Sequence, residues 1–155
     1  MLTAAGETER NLYFVLEGVQ RAFYVGADRP EATVVFTYPY SFAGVADSFL
    51  TQQPSRFFFE TLTASKMLRT SYQQLQQLMD KYQSIERLIR LATSYALMGV
   101  LERHVELLSY SAEEKFKTLL KRSPHVLQLI PHKYLASYLG IDASTFSKLL
   151  ATVRI

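Results

Sequence analysis

The sequence predicts an α+β fold, with strands over roughly the first half of the chain and helices over the rest. Three observations predict it. Short runs of β-branched and aromatic residues, divided by turn residues, fill positions 11–71. From Ser71 onward apolar residues recur at helical spacing. Positions 131–150 place apolar, small and glycine residues in the order that two short crossing helices need.

The strands come first. Residues 12–16 form an apolar run closed by Glu17-Gly18, and residues 19–25 give a second strand broken by the segment 26–30. Residues 33–38 form a third, ending at Pro39, and 57–62 and 66–71 complete the set. Short strands with regular turn signals point to a sandwich or barrel. Between them, 41–54 is rich in Gly, Ala, Ser and Gln and reads as a functional loop with one helical turn.

Ser71 caps a short helix over 73–81, and Ser84 begins a long one running to about 108. In its first turns Ile85, Leu88, Ile89, Leu91, Ala92, Tyr95 and Ala96 share one face, with Glu86, Arg87, Arg90, Thr93 and Ser94 opposite. Leu97-Met98-Gly99-Val100-Leu101 is then apolar all round, and such a helix must be covered all round. One face can lie on the β domain and the other on a second copy, with Leu88, Leu91, Tyr95 and Met98 toward the partner. The other reading is the core helix of a monomer. Ser109-Tyr110-Ser111 breaks the helix, and Ser111 with Glu114 fits a capping box for a helix through Lys121. Ser123-Pro124 ends that helix, residues 125–130 connect, and Pro131 starts the next. The domain reading is 1–72 for the β part, 73–108 for the short and long helices, and 109–155 for the terminal helices.

In positions 131–150 Leu135 and Ala136 supply the apolar and small residues of a first helix. Leu139-Gly140-Ile141 supplies a turn free to take positive φ between apolar anchors. Phe146, Leu149 and Leu150 supply the inner face of a second helix, with Asp142 at its start. This is the pattern of a helix-turn-helix, whose second helix enters the DNA major groove. The outward residues Ala143, Ser144, Ser147 and Lys148, with Thr145 near the helix start, are the candidate DNA contacts. His132 and Lys133 are placed where phosphates pass. A generic helical hairpin is the competing reading.

Charge agrees with a polyanion partner. Residues 109–155 hold seven Lys/Arg (Lys115, Lys117, Lys121, Arg122, Lys133, Lys148 and Arg154) against Glu113, Glu114 and Asp142, whereas 1–108 is nearly neutral. The absence of cysteine excludes disulfides, zinc fingers and cysteine-held iron–sulfur clusters within this chain. His104, His125 and His132 lack a metal-binding spacing, so no metal is expected. No nucleophile–base–acid set or phosphate-cradling glycine loop is visible, so no enzyme is expected. With no signal-peptide pattern and no long apolar run, the expected location is the cytoplasm, with no membrane partner.

The order of these parts resembles the Crp/Fnr superfamily, the cyclic-AMP receptor protein group of regulators. Gly6-Glu7, then residues 12–18 (LYFVLEG) with Arg21, resemble its β-roll signature. Phe42-Ala43-Gly44, then Phe49 and Arg56, resemble its phosphate-binding cassette. The helix after Ser84 is similar to its dimerisation helix, and 131–150 to its helix-turn-helix. The resemblance implies a partial β-roll of the cyclic-nucleotide-binding, jelly-roll type, a long dimerisation helix and a C-terminal helix-turn-helix. It also implies a homodimer that binds promoter DNA and recruits or blocks RNA polymerase. A helix and two strands usual ahead of Gly6, and a β-hairpin wing usual after Leu150, are not in this sequence.

The resemblance puts an effector pocket at Gly44, Val45, Ser55 and Arg56. Val45 stands where members that bind cyclic AMP carry a ribose-gripping glutamate, and the family's Arg-Ser pair is not reproduced, since Ser55 precedes Arg56 and Phe57 follows it. A ribose hydroxyl facing valine loses a hydrogen bond, at a cost of about 1–3 kcal/mol. Cyclic AMP is therefore not the expected effector. Arg56 is left to hold another anion or to form a structural ion pair. No cofactor is expected, and haem lacks a histidine in the β region. The competing function is a ligand-binding and dimerisation module without DNA binding.

Overall fold

The computed structural model describes residues 1–27 and 31–153. Arg154 of the basic set, and part of the break expected at 26–30, lie outside them. The chain divides into two compact units, Met1–Leu75 and Gln76–Ile155. The α+β expectation holds: strands and one short helix fill the first unit, and helices fill the second.

The first unit is a pair of three-stranded antiparallel sheets. One has β1 (Asn11–Glu17) between β4 (Phe42–Ala43) and β6 (Lys66–Ser71). The other has β2 (Gln20–Tyr24) between β3 (Ala32–Thr37) and β5 (Phe58–Thr61). Strand alternation explains the packing. Tyr13, Val15 and Ala43 of the first sheet and Ala22 and Phe59 of the second point inward with Val45 and form one core. Phe14 and Phe42 pair edge-on beside exposed Leu68 on the opposite face of the first sheet. Buried polar groups are matched. Arg21 bonds Glu31 and Glu60 at 2.8 and 2.7 Å and lies 4.1 Å from the Phe23 ring centroid. Gln20 donates to Ser65 Oγ and accepts from the Thr37 hydroxyl.

The 41–54 loop contains more order than expected. It holds β4 as well as one short helix, α1 (Ala46–Thr51), ended by Gln52 in the left-handed region (φ 54°). The buried Ser48 hydroxyl fixes this helix, accepting from the Glu9 amide at 2.9 Å and donating to the Gln53 carbonyl. Gly18 turns the chain between the sheets at φ +90°, where an added Cβ would lie 2.5 Å from the Ala64 carbonyl oxygen.

α2 (Tyr72–Lys81) starts as Ser71 predicts. The Ser71 hydroxyl accepts from the Gln74 amide, and the Gln74 side chain accepts from the Ser71 amide at 3.0 Å. α3 runs from Gln83 to Ser109. Ser84 is inside it and does not cap it. Extended Tyr82 holds the cap position, and its carbonyl accepts from the amides of Ile85 and Glu86. α4 (Ala112–Arg122) carries the expected capping box, Ser111 with Glu114. The 125–130 connector folds into a one-turn helix, α5 (Val126–Leu129), because Val126 and Ile130 bury their side chains. α6 (His132–Leu139) and α7 (Ala143–Thr152) follow. No described helix is long and apolar enough to cross a membrane.

Two substitutions test this account. Gly18→Ala combines an unfavourable φ with a backbone clash and is expected to destabilise the first unit by about 1–3 kcal/mol in denaturant unfolding. Phe146→Ala empties a fully buried site and is expected to cost the helical unit about 3–5 kcal/mol in the same measurement.

Candidate nucleic-acid interface

α6 and α7 are joined by a turn whose geometry follows from its residues. Gly140 takes φ +65°, ψ 34°, and its amide donates to the carbonyls of Ala136 and Ser137. The Ile141 amide reaches the Ala136 carbonyl at 3.1 Å. These bonds satisfy the open carbonyl end of α6, as in a Schellman-type stop. Leu135, Ala136 and Leu139 are buried in α6, and Phe146 in α7. Phe146 meets the Phe116 ring of α4 edge-on at 5.4 Å. Leu149 is partly buried. Leu150, expected on the inner face, is exposed, because α4 and α6, the elements packed on α7, leave it uncovered.

α7 is started by Asp142. One of its carboxylate oxygens accepts from the Thr145 amide at 2.7 Å and from the Ser144 hydroxyl, and the other accepts from the Thr145 hydroxyl at 2.7 Å. Hydrogen bonds from the Ser144 hydroxyl, then from the Thr145 amide and hydroxyl, hold the Asp142 carboxyl well below the usual carboxylate range. Ala143, Ser144, Ser147 and Lys148 are exposed, and Thr145 is partly buried. Ser147 donates to the Ala143 carbonyl one turn back. The three hydroxyls predicted to face DNA thus hold the free helix together, while keeping lone pairs and rotational freedom for a new partner. Lys148 makes no ion pair among the described residues.

At the start of α6, His132 and Lys133 are exposed. The His132 ring also leans on Phe146, with centroids 5.4 Å apart. Lys133 holds its ammonium 4.6 Å from the Tyr134 ring centroid. Part of the basic surplus is spent internally. Lys117 pairs with Glu113, and Arg122 with the buried Glu106. Sequence reasoning missed this Glu106 cluster. Arg103 and Glu106 stand one helical turn apart, but Arg122 reaches them only through the fold.

On α3, Leu88, Leu91, Tyr95 and Met98 are 50, 41, 68 and 53% exposed. Their spacing alternates three and four, the spacing of a two-helix seam, and Val105 continues it. Ile85, Ile89 and Ala92 are partly buried.

The four residues expected to share an effector pocket have different surroundings. Val45 is buried in the sheet core. Gly44 takes φ +129°, and a Cβ there would lie 3.3 Å from the Asn11 carbonyl oxygen. The buried Ser55 hydroxyl donates to the Phe57 carbonyl and accepts from the Phe57 amide. Arg56 is exposed and makes no ion pair among the described residues. Its guanidinium lies 6.0 Å from the Phe57 ring centroid.

Residues 1–82 match the family described as the cyclic nucleotide-binding domain. Among solved structures, FixK2 from Bradyrhizobium japonicum superposes with a TM-score of 0.82 at 17% identity, over 95% of this chain and 77% of FixK2. The c-di-GMP-responsive global regulator CLP of Xanthomonas campestris gives 0.67 at 19% identity, over 94% of this chain and 78% of CLP. The catabolite activator protein of Thermus thermophilus gives 0.59 at 18% identity, over 97% and 72%. No curated protein matches the chain. At these identities the structural likenesses establish a shared fold, that of the Crp/Fnr-type regulators.

The Asp142 cap is testable through its pH dependence. Its carboxyl has a lower pKa folded than unfolded, so its stabilisation is complete above the ordinary Asp value and is lost as pH falls through the depressed one. Asp142→Ala is expected to lower the melting temperature at neutral pH and to flatten the acid limb of the stability profile. Asp142→Asn, which still caps, is expected to keep most of the neutral-pH stability and to lose the same acid limb.

Proposed function

The chain belongs to the cyclic nucleotide-binding domain family, and from that membership we propose that it acts as a homodimeric DNA-binding transcription regulator of the Crp/Fnr type. The observation that carries the reading is the bend at Gly140, which leaves Ala143, Ser144, Ser147 and Lys148 of α7 open to a partner. A helix of this kind docks in the major groove by its N-terminal half. Lys148 then reaches a guanine edge or a phosphate, and Ser144 and Ser147 exchange their intrahelical bonds for bases or phosphates. Lys133 and His132 meet the backbone beside it. The open seam of α3 supplies the dimer, so two copies of α7 read two half-sites of double-stranded promoter DNA. RNA polymerase is the further partner, recruited or blocked at the promoter, and the cytoplasm is the place of work. No catalytic step is involved.

Cyclic AMP is not the effector in this reading. Val45 belongs to the core and offers no acceptor to a ribose hydroxyl, and the Ser55 hydroxyl is already committed to Phe57. The effector is another small molecule or none.

Fluorescence anisotropy with promoter duplexes tests the DNA reading. Affinity is expected to fall steeply with salt, each neutralised phosphate adding about 0.9 to the log–log slope. Lys148→Ala combined with Ser144→Ala is expected to reduce discrimination between cognate and scrambled duplex by about 1–3 kcal/mol. A salt-insensitive or undetectable interaction would favour the alternative, a dimerisation module that binds a small molecule and no DNA. Tyr95→Glu with Met98→Glu is expected to yield a folded monomer by light scattering, and calorimetry is expected to show no heat of binding with cyclic AMP.

A further inference from the structure

The end of α3 makes three separate attachments to the helices that follow it. Glu106 is buried, and its two carboxylate oxygens accept from different arginines, Arg103 one turn earlier at 3.0 Å and Arg122 at the end of α4. Arg103 also donates to the Tyr138 carbonyl in the last turn of α6 and lies 4.0 Å from the Tyr138 ring centroid. Leu107 Cδ2 lies 3.5 Å from where a Cβ on Gly140 would stand, so it lies against the turn itself. Burial lowers and the Glu106 hydrogen bond raises the Arg122 pKa, and the outcome is a raised value. The bond from Arg103 to the Tyr138 carbonyl ties the last turn of α6 to the end of α3.

Tyr110 and Ser111 join α3 to α4. Such a short connection limits distance but leaves angle free, because each residue keeps two soft dihedrals. A carboxylate held by two guanidiniums, one on each oxygen, constrains angle as well, since all three groups are planar and directional.

We propose that Arg103, Glu106 and Arg122 are positioning residues that lock the helix-turn-helix at a fixed angle to α3 and so set the half-site spacing the dimer accepts. The proposal rests on the regulator reading above. In a two-fold dimer built on α3, the angle between α3 and α6–α7 fixes the distance between the two copies of α7. Half-sites one helical turn apart, about 10 base pairs, differ from their neighbours by one base-pair step. A loose joint would tolerate that step and a locked one would not.

The test presents the full chain with a pool of duplexes carrying randomised half-sites in inverted repeat. Their spacings are stepped by single base pairs around one helical turn, and the bound fraction is sequenced. Wild type is expected to enrich one spacing. Arg122→Gln, at a half-exposed side chain that leaves Glu106 paired to Arg103, is expected to stay folded by circular dichroism and dimeric by light scattering. Its preference for the best spacing over its neighbours is expected to fall about tenfold, the effect of losing one charge-assisted hydrogen bond. Glu106→Gln is expected to broaden the spacing further, and Arg122→Lys, which keeps the charge but not the planar fork, to recover only part of the wild-type preference. Variants that stay folded and keep the wild-type spacing would overturn the clamp alone. A wild type that enriches no sequence would overturn the regulator reading and the clamp with it.

Discussion

Helices of eight and ten residues do not persist in water by themselves, because nucleation consumes most of what a few backbone bonds return. α6 and α7 are of this length, so both depend on the burial of Phe146 among α4 and α6. The ring meets Phe116 edge-on, and Leu135, Leu139 and Leu120 are buried in the same unit. Everything exposed on α7 is exposed because Phe146 is not. The helix has one inward face, and Phe146 decides which one it is. Ser144, Ser147 and Lys148 then take the outward side by helical periodicity alone.

That constraint explains why the polar chemistry of this region has two layers. Asp142 and the three hydroxyls near it first serve the helix, by capping its start and bonding back along its first turns. In the proposed function the same groups face the DNA. A hydroxyl can hold an internal bond and still accept from a ligand. A lysine without an ion pair has no such commitment. Lys148 is therefore the group on α7 with most to gain from a phosphate, while Arg122 and Lys117 are already engaged within the protein.

The two units solve different packing problems. The β unit closes a core between two small sheets and pairs its buried charges, with Arg21 held between Glu31 and Glu60. The helical unit leaves a line of large apolar side chains open along α3. Exposed apolar area of this extent is uncommon on a chain that works alone. The three-and-four spacing of Leu88, Leu91, Tyr95 and Met98 is a regular pattern, which an incidental patch would not have.

The strands other than β4, the cap at Ser71, the capping box at Ser111, the turn at Gly140 and the order of the last two helices were legible in the sequence. Each depends on residues a few positions apart, where periodicity, capping and a residue able to take positive φ act locally. The start of α3 was misread because Tyr82 caps it by backbone conformation, which no side chain announces. The grouping of Gly44, Val45, Ser55 and Arg56 could not be tested by spacing. Tertiary packing sent Val45 inward, closed Ser55 on Phe57 and left Arg56 in solvent. The Glu106 cluster was likewise decided only by the fold, because it joins residues from α3, α4 and α6. Sequence alone determined the longer elements and the turns between them, since those are short-range properties of the chain, whereas β4 and α5 took shape only by packing. Only the tertiary structure decided which charges are spent internally and which stay available, because that depends on long-range contacts.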